Sequence, residues 1–147
     1  MASKANAVWN GSLKEGKGTI STATGVLHNA NYSFATRFEG ASSGTTPEEM
    51  IAAAHASCFS MALSAQLGAA GLTADRIEKI ETEAAVTLAK TESGFAVTRI
   101  VLNTKAKLKG ATKEEFEKAA NEAKNGCPIS KLFANNTEIV LNATLVT

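Results

Sequence analysis

The chain has 147 residues, 44% of them hydrophobic and 20% charged, and these proportions are typical of a globular protein with its own hydrophobic core. Its formal net charge of +1, with lysines and glutamates interspersed, forms no basic stripe and excludes nucleic acid and anionic lipid as expected partners. The first residues lack the apolar core of a secretory signal, so we expect a cytoplasmic protein. Its two cysteines, Cys58 and Cys127, are too far apart for a CxxC pair or for local zinc-ligand spacing.

The first third of the chain predicts short strands. Residues 6–9 and 18–21 are two such strands, joined by a polar turn with Gly11 and Gly16 as breaks. In residues 32–38, YSFATRF, Tyr32, Phe34, Thr36 and Phe38 alternate with Ser33, Ala35 and Arg37, and this period of two predicts a third strand. This period puts Arg37 on the face opposite the aromatic residues.

Residues 45–71 organise the rest of the chain. Thr46, Pro47 and Glu49 form a helix-start signal, with a capping threonine, a proline at the first helical position and a glutamate three residues after the cap. Residues 50–74 contain no charged side chain, so we predict a central helix of about 25 residues that is buried on most sides. Its many polar groups and its alanine content argue against a membrane span.

The second half predicts a hairpin, two helices and a last strand. Residues 77–88 and 95–107 are rich in β-branched and aromatic side chains around a polar turn. Thr112 and Glu115 repeat the capping pattern before a helix over 112–124, and Cys127-Pro128 begins a short helix to about residue 134. With a final strand over 138–146, the sequence predicts a single strand-rich α+β domain over 1–147.

Four residues are candidates for chemistry, and each has a structural alternative. Cys58, in the middle of the central helix, is either a small buried hydrophobe or a nucleophile. Cys127 caps the short helix, where the helix dipole favours a thiolate, although a cysteine is also simply tolerated there. Arg37 is either a surface residue or a cation directed at a thiolate. Glu48 complements the dipole of the central helix or holds an arginine in a fixed orientation.

Histidines allow two further interpretations. His55 lies one turn before Cys58, so one interpretation is a Cys–His nucleophile of a hydrolase or transferase, but the sequence supplies no obvious third residue that would orient the histidine. A hydrogen-bonded core histidine is the alternative. A metal site built from His28, His55 and the two cysteines is weak, because only His55 and Cys58 have local chelate spacing. We therefore expect no bound metal.

Four segments together resemble the osmotically inducible protein C / organic hydroperoxide resistance family, most closely its osmotically inducible branch. They are GKGTISTATGVL at 16–27, TRFEG at 36–40, PEEMIAAAHASCFSMALS at 47–64 and GCPIS at 126–130. They occur in order across nearly the whole chain. The resemblance implies an intertwined α+β homodimer with two active sites at the subunit interface.

The resemblance also implies a thiol-dependent peroxidase that acts on organic hydroperoxides. Cys58 matches the family's peroxidatic cysteine and Cys127 its resolving cysteine. Arg37 matches the arginine that activates the thiolate, and Glu48 the carboxylate that holds this arginine. Local electrostatics favour Cys127 as the more acidic thiol, whereas the family pattern assigns the first attack to Cys58.

The implied reaction needs no bound cofactor, only an external dithiol reductant, of the lipoyl type or another small dithiol. Phe59 and Met61 are candidates for apolar walls that suit an alkyl hydroperoxide better than hydrogen peroxide. The alternative is a non-enzymatic ligand-binding or structural dimer of the same fold, in which both cysteines are inert.

Overall fold

The computed structural model describes residues 1–146, and the chain folds as two compact units, Met1–Met50 and the remainder from Ile51 onwards. The single-domain assignment stays a prediction. In the first unit, strands β1 (Ala5–Asn10), β2 (Lys17–Thr22) and β3 (Ala30–Tyr32) form an antiparallel sheet in the order β1-β2-β3. The two N-terminal strands therefore lie where the sequence predicts them.

The segment predicted as a third strand over 32–38 is mostly a helix, so that prediction is wrong. Helix α1 spans Phe34–Phe38, and Ser33 caps it: its hydroxyl accepts a hydrogen bond from the Thr36 amide at 3.2 Å. The Thr36 hydroxyl in turn accepts from the Ser33 amide at 2.9 Å, which completes a reciprocal capping box. In this helix the Phe34 and Phe38 rings lie one turn apart, with centroids 4.8 Å from each other.

Helix α2 spans Pro47–Ala69 and begins as the sequence predicts. The Thr46 hydroxyl accepts a hydrogen bond from the Glu49 amide at 2.9 Å, which is the first half of the predicted capping box. The Glu49 carboxylate does not return that bond but accepts one from the Thr45 hydroxyl at 2.8 Å. After the helix, Gly71 has a φ of 94°, a left-handed conformation that glycine adopts without strain.

Burial of α2 differs from the prediction. Its fully buried residues are spaced four apart along one stripe: His55, Phe59, Leu63 and Leu67. The opposite face is exposed and consists mostly of small residues: Ala53, Ala54, Ser57, Met61, Ser64, Ala65 and Gly68. By length and composition this helix could cross a membrane, but a stripe packed into a protein core is typical of a core helix. In the single chain, α2 is therefore buried on one side, not on most sides.

The second unit contains the predicted hairpin and the last strand. Strands β4 (Ile77–Thr91) and β5 (Gly94–Leu108) pair antiparallel, and β6 (Glu138–Val146) pairs parallel with β5, which makes β5 the central strand. A single 3₁₀ turn, Ala74–Arg76, precedes β4. The predicted long hairpin and final strand are confirmed.

Helices α3 (Lys113–Gly126) and α4 (Pro128–Phe133) also follow the prediction. Thr112 and Glu115 form the reciprocal capping box of α3, with bonds of 3.2 and 2.9 Å. The buried face of α3 joins the stripe of α2 and the inner face of β5 in one hydrophobic core, whose members include Phe59, Leu63, Ile100, Leu102 and Phe116. The architecture is α+β, as expected from the sequence.

Candidate active site

The two cysteines lie side by side in the second unit. The Cys127 thiol donates a hydrogen bond to the Cys58 sulfur, with an Sγ–Sγ distance of 2.9 Å. Both cysteines are free thiols that form no disulfide. Cys127 is fully buried, whereas Cys58 is half-buried. A disulfide bond is about 2.05 Å long, so the sulfurs need to approach by less than about 1 Å to join. The fold thus unites two thiols that are 69 residues apart in the chain.

The start of α4 contacts the Cys58 sulfur. Burial raises the pKa of the Cys58 thiol, and the adjacent Cys127 acts in the same direction. The backbone amide of Ile129, in the first turn of α4, donates a hydrogen bond to the Cys58 sulfur and lowers its pKa. The side chain of Cys127 makes no capping hydrogen bond to that helix. The amide expected to favour a thiolate on Cys127 is therefore directed at Cys58.

His55 is bonded to Ser130, not to a cysteine. Its Nε2 lies 2.8 Å from the Ser130 hydroxyl, and both residues are buried, at 0% and 2% exposure. Burial lowers the pKa of His55, so the ring is neutral at pH 7. This geometry matches the core-histidine interpretation better than the Cys–His nucleophile.

Arg37 and Glu48 form an ion pair in the first unit. Arg37 Nη2 donates to Glu48 Oε1 at 2.7 Å, and Arg37 Nε donates to the two carboxylate oxygens at 3.1 and 3.3 Å. The Glu48 side chain is 11% exposed and that of Arg37 is 37% exposed. Two guanidinium nitrogens on one carboxylate fix the plane of the arginine, which agrees with the holding role considered for Glu48.

The same unit contains a pocket that includes Arg37. It has a volume of about 250 Å³ and is lined mainly by apolar and aromatic side chains: Trp9, Leu13, Tyr32, Phe34 and Phe38, with Ser33 and Arg37 as its polar residues. The Trp9 and Tyr32 rings contact each other with centroids 5.4 Å apart, and the guanidinium carbon of Arg37 lies 5.4 Å from the centre of the Phe38 ring. An apolar pocket with a fixed cation can hold a small molecule that has an apolar body and a polar end.

The structure corrects the two residues proposed as apolar walls. Phe59 is fully buried in the core, so it does not line an open site. Met61 is 76% exposed on the outer face of α2. Trp9 is one of the side chains that line the pocket beside Arg37 instead.

Sequence reasoning also missed Ser130 and the Ile129 amide. The spacing of these residues could have indicated the His55–Ser130 contact. Ser130 follows Cys127 by three residues and His55 precedes Cys58 by three, so two antiparallel segments that pair the cysteines also pair His55 with Ser130. Among residues 1–146, no group of three or more His, Cys, Asp or Glu side chains is arranged to hold a metal ion.

Comparison with known proteins assigns the family. Residues 40–142 match the family described as OsmC-like protein. Peroxiredoxin OsmC of Escherichia coli K12 is 47% identical over 142 residues, which cover 97% of this chain and 95% of that protein. The organic hydroperoxide resistance protein-like 1 of Staphylococcus saprophyticus is 32% identical over 108 residues, or 72% of this chain and 73% of that protein.

A solved structure agrees with this assignment. The organic hydroperoxide resistance protein OhrB of Bacillus subtilis superposes with a TM-score of 0.75 at 27% identity, and the match covers 96% of this chain and 98% of that one. The fold and the adjacent thiols of Cys58 and Cys127 define an α+β protein that has the architecture of OhrB and two cysteines in contact. The chain belongs to the OsmC-like family, as the resemblance of its sequence motifs implied.

Proposed function

We propose that this protein is a thiol-dependent peroxidase that reduces organic hydroperoxides through a sulfenic acid on Cys58 and a disulfide between Cys58 and Cys127. Kinship with a protein named peroxiredoxin, at 47% identity over nearly the full length, supports a peroxidase-type function. The observation that carries the mechanism is the 2.9 Å separation of the two sulfurs. Two thiols at this distance form a disulfide after only a small local movement.

The thiols are oxidised in two steps, an oxidation by the hydroperoxide and a condensation that forms the disulfide. The Cys58 thiolate attacks one oxygen of the hydroperoxide, the O–O bond breaks, and the alkoxide takes up a proton and leaves as an alcohol. Cys58 is then a sulfenic acid. The Cys127 sulfur attacks it, the S–O bond breaks, and water leaves as the disulfide forms. An external dithiol exchanges with this disulfide and restores both thiols.

In this proposal Arg37 supplies the positive charge that the first step needs. Burial raises the pKa of Cys58, which opposes formation of the attacking thiolate, so a compensating cation has a clear role. A guanidinium also stabilises negative charge that develops on the departing oxygen. Glu48 holds the arginine in one orientation before the peroxide arrives, so little reorganisation is needed during reaction.

The aromatic pocket supports a preference for organic substrates. Its lining of Trp9, Tyr32, Phe34 and Phe38 offers apolar contact to an alkyl group, and Arg37 offers hydrogen bonds to a peroxide oxygen. Hydrogen peroxide has no apolar part and gains nothing from such a lining. The names of the organic hydroperoxide resistance relatives point in the same direction.

The remaining parts of the proposal concern partners. We propose a homodimer in which the exposed face of α2 packs against a second copy, because the small residues on this face allow close helix approach and Met61 supplies an apolar contact. The reductant is a small dithiol of the lipoyl type, no resident cofactor takes part, and the protein works in the cytoplasm. The choice of reductant, the lack of a cofactor and the location are proposed from the sequence and its family resemblance.

A comparison of two peroxides tests the function. Reduced protein is mixed with equal concentrations of tert-butyl hydroperoxide or hydrogen peroxide, and loss of free thiol is followed over time. We expect both thiols to disappear, faster with tert-butyl hydroperoxide, and no loss in Cys58→Ser. Thiols that persist in the wild type would support inert cysteines, and a faster reaction with hydrogen peroxide would reject the substrate preference.

A further inference from the structure

Two hydrogen bonds between side chains join α2 to the start of α4, beside the ring contact of His55 with Phe133. One is the Cys58–Cys127 sulfur pair at 2.9 Å, and the other is the hydrogen bond between His55 Nε2 and the Ser130 hydroxyl at 2.8 Å. His55 lies one turn before Cys58 on α2, and Ser130 lies one turn after Cys127 on α4. The two hydrogen bonds are thus successive contacts between two segments that run in opposite directions.

Packing alone does not account for a histidine at this position. The His55 side chain is fully buried, and its Nδ1 has no hydrogen-bond partner among the residues that the structure describes. A buried nitrogen without a partner is costly, and an aliphatic side chain would fill the same space without that cost. The bond to Ser130 is the polar contact that this ring makes, so its effect is to fix geometry more than to add stability.

The geometry it fixes is that of the thiols. Without the His55–Ser130 bond, the hydrogen bonds between the two segments are confined to the end at Cys58, whereas hydrogen bonds one turn apart restrict rotation of α4 on α2. The start of α4 contains both Cys127 and the Ile129 amide that donates to the Cys58 sulfur. A rotation of α4 therefore changes the Sγ–Sγ distance directly.

We infer that the His55–Ser130 hydrogen bond positions Cys127 for attack on oxidised Cys58, and that both are positioning residues for disulfide formation. This inference rests on the proposed function. The sulfenic acid on Cys58 has two fates: attack by Cys127, which releases water and forms the disulfide, or oxidation by a second hydroperoxide, which gives a sulfinic acid and an alcohol. The first is intramolecular and depends on geometry, and the second depends on peroxide concentration. Loss of the bond shifts the balance toward the sulfinic acid.

The experiment measures this balance in a single turnover without reductant. Reduced protein is mixed with rising concentrations of tert-butyl hydroperoxide, free thiols are alkylated, and intact mass separates the disulfide from the sulfinic acid. The readout is the peroxide concentration at which the two products are equal. It equals the ratio of the two rate constants, so it does not depend on how fast Cys58 first reacts.

Three variants are compared with the wild type, together with a matched control. Ser130→Ala removes the hydrogen bond. The double variant His55→Leu, Ser130→Ala also removes it but leaves no unpaired polar group, so it keeps the test valid if Ser130→Ala is unstable. Ser130→Thr retains the hydroxyl. Ser60→Ala is the matched control, because it deletes a hydroxyl of α2 that also makes a 2.8 Å bond, but to Thr82 on β4.

We expect the equal-product concentration to fall about tenfold in both bond-removing variants, because misplacement by about 1 Å slows a positioned reaction by up to about 10²-fold. It should stay unchanged in Ser60→Ala and recover in Ser130→Thr. Values within twofold of wild type in both bond-removing variants would overturn the inference while leaving the proposed function intact. A wild type that forms no disulfide would instead overturn the proposed function itself.

Discussion

Replacing Glu48 with glutamine removes the charge that holds Arg37 but preserves the shape of the side chain. The wild-type carboxylate accepts from two guanidinium nitrogens, at 2.7 Å and at 3.1 to 3.3 Å. In the same pose the amide oxygen at the Oε1 position still accepts the 2.7 and 3.1 Å bonds, but the NH₂ group at the Oε2 position faces the Nε donor at 3.3 Å, and the carboxylate charge is lost. Arg37 is therefore held less firmly in one orientation but keeps its own charge.

The size of the effect follows from the burial of the pair. A hydrogen bond to a charged group contributes about 1.5–3 kcal/mol, and about 1.4 kcal/mol corresponds to a factor of ten in rate. Glu48 is 11% exposed, but Arg37 is 37% exposed, so water replaces part of what the guanidinium loses. We therefore take the lower end of the range and expect Cys58 oxidation by tert-butyl hydroperoxide to slow about tenfold. The free energy of unfolding should fall by about 1 kcal/mol or less.

The assay is stopped-flow measurement of thiol loss, with thermal unfolding as a check on the fold. Glu49→Gln is the matched control, because it removes the same charge from the same helical turn, where the carboxylate bonds to Thr45 and not to Arg37. It should react at the wild-type rate. Equal rates in Glu48→Gln and Glu49→Gln would refute the holding role. The pH at which Cys58 becomes reactive to an alkylating agent should rise in Arg37→Met, since that change removes the cation altogether.

Three further outcomes are expected. Burial lowers the pKa of His55, so below about pH 6.5 the unfolded chain binds a proton that the folded chain does not. The free energy of unfolding should therefore fall as pH drops, by at most about 1.4 kcal/mol per pH unit. Urea titrations at about pH 7 and pH 5.5 should show a smaller fall in this free energy for the His55→Leu, Ser130→Ala variant than for the wild type. Met61→Lys should convert the proposed dimer to monomer in sedimentation experiments, whereas Val26→Lys, at another strongly exposed apolar site, should not. Thr112→Ala removes the cap of α3 and should cost about 1 kcal/mol in chemical denaturation, against no change for Glu114→Gln.

Much of the fold could be predicted because its signals are local. The capping box at Thr112 and the hairpin with its β-branched strands specify their elements within a few residues of sequence. The error at 32–38 arose because two local signals compete there. Alternating aromatic residues favour a strand, but Ser33 and Thr36 form a capping box, and Phe34 and Phe38 also fit one face of a helical turn.

The site was harder to predict from the sequence, because its geometry depends on contacts between distant segments. A resemblance to the family suggested the pairing of Cys58 with Cys127, whereas local electrostatics alone favoured Cys127 as the more acidic thiol. The structure gives the reason for that conflict: the amide of Ile129 lies against the sulfur of Cys58, which comes from another helix. The burial of α2 was predicted wrongly for a similar reason, since a single sequence carries no direct signal for what covers a helix face made of small residues.

The most direct test of the central claim is intact mass after one equivalent of tert-butyl hydroperoxide, on wild type, Cys58→Ser and Cys127→Ser. We expect the wild type to lose two hydrogens, as a disulfide requires, and Cys58→Ser to stay unchanged. In Cys127→Ser, Cys58 should be trapped as an oxidised sulfur. An oxidised Cys127 in the Cys58→Ser variant, or a wild type with both thiols intact, would contradict the assignment of Cys58 as the attacking residue and Cys127 as its partner.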